Sequence, residues 1–363
     1  MKAIDLFCGC GGLSAGLRDA GYEILAGLDI EPHYIKTFTE NFPDSLTICK
    51  NIVEVNPDEL LERFGLKPGE LDLLAGGPPC QGFSKNVPRS QRRLDSRNNK
   101  LVKTFLRYCE SMLPRWVLME NVAEMRNGFG QHYTDDIVGR LTAAGYKVSH
   151  GVYNAADFGV PQRRRRAFFM ARRDGISPAG PAPTHSKEAA PDLFWRVKPH
   201  ISVWEAIGDL RSLGHGEGVE PDTYVSPPMN DYQERMRDGC EYTYNHVAKR
   251  LRPTQFERIR SLKPGQGIND LPGHLRPGGG YSGAYGRLTK DMIMPTITRW
   301  VFHAGSGRWG HPEDIRLITI REAARLHGFK DCFKFLGSYT QQAGQVGNSV
   351  PPVLAEVMGK VFL

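Results

Sequence analysis

Residues 71–84 read L-D-L-L-A-G-G-P-P-C-Q-G-F-S, and Cys80 is the position in them that could do chemistry. A thiolate is a nucleophile, and it is useful when a rigid frame aims it. Residues 71–75 form an apolar run with the length and flanks of a buried strand. Two glycines end the run. Pro78 and Pro79 then fix φ and remove donors, so neither a sheet nor a helix continues into Cys80. The thiol is therefore expected at the carboxyl end of a strand, the edge where open α/β sheets hold ligands. A cysteine that only packs needs no pair of prolines before it and no Gln-Gly-Phe-Ser after it.

Three other stretches carry chemistry. Residues 116–119 read as a strand, and Glu120-Asn121-Val122 follow at its end. A carboxylate there is costly unless it has a partner or a task. Arg163 to Arg166 are four consecutive arginines running into A-F-F-M. Such a run is ordinarily a solvated surface or a localisation signal. Strand alternation, however, sets Arg164 and Arg166 on one face with Phe168 and Met170, and leaves Arg163 and Arg165 outside. The third stretch is N-terminal: a strand at 2–6, the turn F-C-G-C-G-G at 7–12, a helix at 13–20 closed by Gly21, and a second strand at 22–30 containing Asp29. Glycines let the backbone approach a ligand, and a helix N-terminus favours negative charge. An acid at the end of the second strand can bind both hydroxyls of a ribose. This β-α-β unit suits an adenosine cofactor. Ser14 stands where a G-x-G-x-x-G pattern needs its third glycine, which counts against a nicotinamide.

The elements that position these groups alternate between strand and helix. Residues 32–42 predict a helix with Ile35, Phe38 and Phe42 on one face, and 46–53 a third strand. Residues 101–112 predict a helix stopped by Pro114, 135–144 a helix capped by Gly145, and 146–153 a strand. Residues 84–100 are polar and basic without hydrophobic period. They read as a mobile lid that closes on phosphates with Lys85, Arg89, Arg92 and Arg93. The Pro-rich segment 177–183 marks a domain boundary, and 177–314 is rich in Gly, Pro and aromatics with short elements only. Thr319 and Glu322 form a capping box, and Pro351 and Pro352 open a last helix with Val353, Val357 and Val361 inward.

At 363 residues the chain can build one large or two smaller domains, and its formal charge of +7 suits a partner with phosphates. No apolar run is long enough to span a membrane, and the strand starting at Lys2 predicts no signal peptide. The seven cysteines are odd in number and lack C-x-x-C spacing, which predicts a reducing compartment. Cys8 and Cys10 have no second ligand pair, so no metal is expected.

G-G-P-P-C-Q-G-F-S resembles the catalytic motif of the cytosine-C5 DNA methyltransferases of bacterial and phage type. The resemblance extends nearly continuously over residues 3–170 and 315–358 and is loose between them. It implies an α/β fold: a Rossmann-like S-adenosylmethionine-dependent methyltransferase sheet with helices on both faces, and a smaller irregular target-recognition domain. The implied domains are 1–176 for catalysis and cofactor, 177–314 for target recognition, 315–340 as a brace for it, and 341–363 packing back on the catalytic domain.

The resemblance also implies roles. Cys80 would add to C6 of a flipped cytosine, Glu120 would hold N3, and Arg164 and Arg166, in Q-x-R-x-R, would orient the Glu, the base and nearby phosphate. S-adenosylmethionine would lie along Asp5, Phe7, Cys8, Gly9, Gly11 and Gly12, with Asp29 on the ribose and Ile30 on the adenine. Asn51 and Ile52 stand where the family usually has Asp-Ile. Pro79, Leu101, Asn348 and Ser349 complete the cofactor contacts. Gln81, Ser84, Lys85, Arg89, Arg287 and Arg299 would touch DNA, with His303 and Arg308 as further candidates. Double-stranded DNA is the expected partner, a restriction endonuclease a functional companion, the chain a monomer, and its location cytoplasmic and nucleoid-associated. Three rivals stand beside this reading: a tRNA cytosine methyltransferase, a binding-only relative, and a nicotinamide oxidoreductase. Intact Cys80, Glu120 and Arg164 oppose the second; Ser14 and the Pro-Pro-Cys segment oppose the third.

Overall fold

The computed structural model describes residues 1–79, 99–126, 130–188, 197–279 and 282–363. These form two compact units. One comprises Met1–Phe158, Arg165–Pro183 and Val350–Leu363, the other Gly159–Arg164 and Thr184–Ser349.

The first unit is built on seven strands: β1 (Lys2–Leu6), β2 (Glu23–Asp29), β3 (Leu46–Cys49), β4 (Leu73–Gly76), β5 (Trp116–Val122), β6 (Lys147–Asn154) and β7 (Arg165–Arg172). Their order is β3-β2-β1-β4-β5-β7-β6. Strands β1 to β5 pair in parallel, and β7 runs antiparallel to both β5 and β6. The chain leaves β1 toward β2 on one side and β4 toward β5 on the other. A topological switch point therefore falls at the carboxyl ends of β1 and β4, where ligands settle in such sheets. The helices are α1 (Gly12–Asp19), α2 (Pro32–Asn41), α3 (Pro57–Glu62), α4 (Asn99–Met112) and α5 (Gly130–Ala143), then α6 (Val203–Ile207), α7 (Asp231–Arg237), α8 (Pro253–Arg260), α9 (Ile320–His327), α10 (Tyr339–Asn348) and α11 (Pro352–Lys360). Strand β4 is buried throughout, as a central parallel strand covered by helices must be. Its neighbours in the core include Leu6, Phe105, Val117 and Met119. Helix α11 returns to α1, and Tyr22 Oη donates to Gly359 O at 3.1 Å beneath it.

Several boundaries differ from the sequence expectation. Strand β3 stops at Cys49 because Asn51 caps a single helical turn at Ile52–Glu54, its Oδ1 accepting from Val53 N at 3.2 Å. Strand β5 continues to Val122 rather than ending at 119, because β7 extends its ladder. Helix α3 was not foreseen, although Asn56-Pro57 carries its signal: Asn56 Oδ1 accepts from Asp58 N, and Pro57 opens the helix. Helix α11 buries Val353, Leu354, Ala355 and Met358, while Val357 and Val361 are only half-buried. Steps of four residues drift around a helix of 3.6 residues per turn.

In the second unit, α9 is buried along its whole length, charged residues included. Thr319 and Glu322 make the expected capping box. Glu322 also takes a two-pronged pair from Arg316, at 2.7 and 2.8 Å. Arg325 grips Asp331 through Nε at 2.8 Å and Nη2 at 2.6 Å, and reaches Asp209 with Nη1. This network draws residues 315–349 into the same unit as 184–314, so the boundaries read at 314 and 340 are not breaks. Only Val350 onward returns to the sheet unit.

Removing one partner of a buried pair strands the others without compensation. Arg325→Met is expected to lower stability by about 3–5 kcal/mol, because among the described residues buried Asp331 loses both of its close guanidinium bonds and keeps only Tyr224 and the more distant Arg321, while Asp209 keeps only Arg237. A urea unfolding midpoint equal to that of the parent would show that the network contributes little.

Candidate active site

Glu120 lies within β5, opposite Phe168 of β7, and Val122 lies opposite Arg166. This register brings Arg166 Nε to 2.9 Å from Glu120 Oε1, with the side chains 18% and 14% exposed. The guanidinium supplies the partner that a carboxylate this shielded needs. Arg166 Nη1 also donates to Arg165 O, which fixes the fork. Glu120 Oε2 stands 3.2 Å from where a Cβ on Gly77 would be, so the carboxylate borders the segment that follows β4. The next residue on β5 holds that segment directly: Asn121 Nδ2 donates to Pro78 O at 2.9 Å, and Asn121 Oδ1 accepts from Val122 N. Asn121 was not singled out from the sequence, although it sits beside Glu120 in the same motif. Cys80, Gln81, Ser84, Lys85 and Arg89 lie outside the described residues. Pro79 is the last described residue before them and is exposed.

The glycine-rich turn leaves β1 at the switch point. Phe7 at φ 62° and Gly9 at φ 54° both sit in the left-handed region. For a bulky residue such as Phe7 that conformation stores about 1–3 kcal/mol of strain and tends to occur at functional sites. Gly9 N donates to Asp29 Oδ2 at 2.9 Å, and Glu31 N donates to Asp29 Oδ1 at 2.9 Å, so the acid ending β2 ties down the turn. Among the described residues, no heavy atom beyond Gly9 and its chain neighbours lies within 4 Å of where a Cβ on Gly9 would be. Gly11 differs: a Cβ there would meet Phe42 at 2.5 Å, so its small size serves packing against α2 as well as its φ of 101°. Cys8 N donates to Leu28 O at 2.9 Å, and burial pushes the Cys8 thiol well above its ordinary pKa. Gly12 is buried as the first residue of α1. Ile30 is 59% exposed just past β2, so it is not a core residue of that strand.

Asp5 lies behind this turn, 1% exposed. Ser14 Oγ donates to its Oδ2 at 2.6 Å, and Oδ1 has no hydrogen-bond partner among the described residues. Burial raises the Asp5 pKa to about 7. Ser14, noticed in the sequence only as a missing glycine, is thus the residue that satisfies half of this carboxyl.

The remaining expected residues are spread more widely. Asn51 is half-buried and uses its oxygen as a cap; Ile52 is buried, and its carbonyl accepts from Tyr108 Oη at 3.0 Å. Leu101 is half-buried on α4. In the second unit, Asn348 is the exposed last residue of α10, and Ser349 Oγ donates to Val346 O at 2.9 Å. Arg164 precedes β7 and does not share its alternation. It is 2% exposed and donates to the carbonyls of Ile297, Gly347 and Ser349 at 3.0, 3.0 and 3.1 Å. Arg287 requires a correction as a DNA contact. It is 6% exposed and donates to the carbonyls of His311, Leu262 and Glu313, among others, because the loops around it need donors. Arg308 is held likewise by the carbonyls of Gly265, Gln266 and Arg287. Arg299 and His303 are exposed.

The whole chain, residues 1–363, matches the family of C-5 cytosine-specific DNA methylases. The chain belongs to that family. It is similar to the Type II methyltransferase M.AgeI of Thalassovita gelatinovora, 32% identical over 428 residues, covering 100% of this chain and 99% of that protein. It is also similar to the Type II methyltransferase M1.HphI of Haemophilus parahaemolyticus, 34% identical over 363 residues, covering 99% of this chain and 86% of that protein. Among solved structures, a prophage-encoded E. coli protein assigned to DNA modification superposes with a TM-score of 0.77 at 25% identity, covering 99% of this chain and 98% of that one. A DNMT2 from Spodoptera frugiperda shares the fold, with a TM-score of 0.63 at 17% identity and 99% of each chain covered. A C-5 cytosine-specific DNA methylase transfers a methyl group from S-adenosylmethionine to C5 of cytosine in DNA, and that is this enzyme's activity. The tRNA alternative is set aside accordingly.

The turn of this methylase fits S-adenosylmethionine on its own chemistry. Open space at Gly9, an exposed apolar Ile30, a carboxylate at the end of β2 and an unsatisfied buried oxygen on Asp5 surround one strand edge. No helix among the described residues is long and apolar enough to cross a membrane, and no group of three or more His, Cys, Asp or Glu among them could hold a metal.

Asp5 makes stability depend on pH. Its ordinary pKa is 3.8 and its folded value about 7, so between these pH values the folded chain holds a proton that the unfolded chain has lost. Stability attributable to this group therefore falls as pH rises across that window. Asp5→Asn stays neutral throughout and is expected to flatten the slope. Relative to the parent it should gain a few kcal/mol, at most about 4, between pH 4 and pH 8. Parallel denaturation midpoints for both proteins over this range would refute the assignment.

Proposed function

We propose that Cys80 is the nucleophile of this DNA cytosine-5 methyltransferase and that Glu120, held by Arg166, is the group that binds N3 of the target cytosine. The observation that carries the proposal is the Arg166–Glu120 pair at 2.9 Å, bordering the Gly77-Pro78 backbone that leads in sequence to Cys80. Cytosine C5 is a poor nucleophile by itself. When the Cys80 thiolate forms a bond to C6, electron density moves to C5, and one difficult step becomes two easier ones. S-adenosylmethionine supplies the electrophilic methyl group. Glu120 hydrogen-bonds or protonates N3 and so stabilises the charge that develops on the ring. Arg166 keeps the carboxyl oriented for that contact. Loss of the C5 proton then breaks the bond between C6 and sulfur and frees Cys80. Asn121 has a positioning role, since it anchors Pro78 two residues before the thiol.

A base stacked in a duplex is out of reach of this chemistry, so the substrate is double-stranded DNA whose target cytosine is flipped out. Asp29 and the turn at Phe7–Gly12 hold the cofactor, with Ile30 against its adenine. The second unit reads the DNA sequence. The Type II designation of the relatives supports pairing with a restriction endonuclease of the same sequence preference. We take the enzyme to act as a monomer.

Cys80→Ser is expected to abolish methyl transfer while leaving DNA binding largely intact, and duplex carrying 5-fluorocytosine should trap a covalent adduct with the parent only. Trapping undiminished in the variant would falsify the nucleophile assignment. Glu120→Gln should slow methyl transfer by roughly 10²-fold or more, the scale of acid–base and electrostatic partners. A variant as fast as the parent across neutral pH would remove Glu120 from the mechanism.

A further inference from the structure

The side chains that the sequence offered as base readers divide into two kinds in the second unit. Arg287 and Arg308 spend their guanidiniums on backbone carbonyls, whereas Arg299 and His303 are exposed on one turn. Between them stands Trp300, 49% exposed. The backbone presenting it is well constrained. Val301 N donates to Thr298 O at 3.1 Å, His303 N donates to Trp300 O at 2.9 Å, and Ser306 Oγ donates to Trp300 O at 2.6 Å. Val301 and Ala304, each 1% exposed, anchor the turn in the unit's core. A rigid aromatic on such a support loses little conformational freedom when it binds something.

Its surroundings indicate what it meets. The Arg299 guanidinium lies 4.9 Å from the indole centroid, and the Phe302 ring lies 5.8 Å from it. Lys249 Nζ sits 4.6 Å from the Phe302 centroid and donates to Phe302 O at 3.1 Å. Arg250 and Arg252, both exposed, follow Lys249 in the chain. Aromatic faces interleaved with cations are what a nucleic acid demands: phosphates attract the cations, and every base offers a flat π face. An isolated exposed Trp would need no explanation. This one is fixed, half-exposed and flanked by cations in the unit that we assign to DNA reading.

We infer that Trp300 is a DNA-contact residue of this enzyme: its indole stacks on a base of the target duplex while Arg299 and Lys249 hold adjoining phosphates. The inference rests on the proposed reading of the second unit as the DNA-reading part. Proteins that disturb base stacking commonly insert an apolar side chain at the opened step, and a fixed indole suits that task.

The test uses the full chain and a fluorescent duplex whose sequence comes from mapping methylated cytosines in a host that expresses the parent enzyme. Trp300→Ala should weaken binding by about 5- to 100-fold, the effect of losing one base–aromatic stack, with the salt dependence unchanged. Trp300→Phe keeps a ring and should stay within a few-fold of the parent. Arg299→Gln should lower the slope of log affinity against log salt by about one phosphate contact. Parental affinity in Trp300→Ala overturns the inference, as does an equal loss in Trp300→Ala and Trp300→Phe. If Arg299→Gln still loses its phosphate contact in that case, the unit reads DNA without the stack. If neither substitution changes binding, the reading of the second unit fails as well.

Discussion

A carboxylate inside a strand of a buried sheet is costly without a partner, and in this enzyme that partner arrives through strand register. Pairing β5 antiparallel to β7 sets Val122 against Arg166 and Glu120 against Phe168, so the guanidinium reaches back along the face that carries the carboxylate. A slip of one residue would turn Arg166 to the other face and leave Glu120 uncompensated. The antiparallel strand that interrupts an otherwise parallel run therefore holds the Glu120–Arg166 pair as much as it completes the sheet. Neighbouring residues on β5 then divide the labour: Glu120 pairs with Arg166, and Asn121 fastens the Pro78 backbone.

The edge where β1 and β2 end works on a related principle. Asp29 accepts from Gly9 N and Glu31 N, so the acid that ends β2 shapes the turn that ends β1. Asp5, one layer deeper, is pushed toward the neutral form by burial, and only Ser14 answers it among the described residues. The strained φ of Phe7 sits between these two acids in the chain. Strain and an unsatisfied buried oxygen mark this turn as built for a ligand rather than for stability alone.

In the second unit much of the positive charge serves architecture, including two of the residues that read as DNA-directed in the sequence, Arg287 and Arg308. Arg316, Arg321 and Arg325 on or beside α9 are buried, and Arg287 and Arg308 satisfy loop carbonyls. A region with few regular elements leaves many carbonyls without a ladder, and an arginine with five donors can satisfy several at once. Net charge therefore overstates how many cations are available to phosphate.

The sequence by itself determined the local chemistry. The end of β1 at Leu6, the glycine turn, Asp29 closing β2, the capping box at Thr319 and Glu322, and the apolar run before Pro78 were all legible, because each is set by residues adjacent or one turn apart. Tertiary structure decided what depends on distant partners. Glu120 lies within its strand because β7, about fifty residues on, extends the ladder past Met119. Arg287 is withdrawn from the surface by carbonyls more than twenty residues away. Arg164, two residues from Arg166, parts from it because its partners are Ile297, Gly347 and Ser349. Periodicity reports which face a residue takes within its own element. Whether a charged side chain on that face meets water, an acid or a row of carbonyls is settled by the element packed against it, and no short window of sequence contains that element.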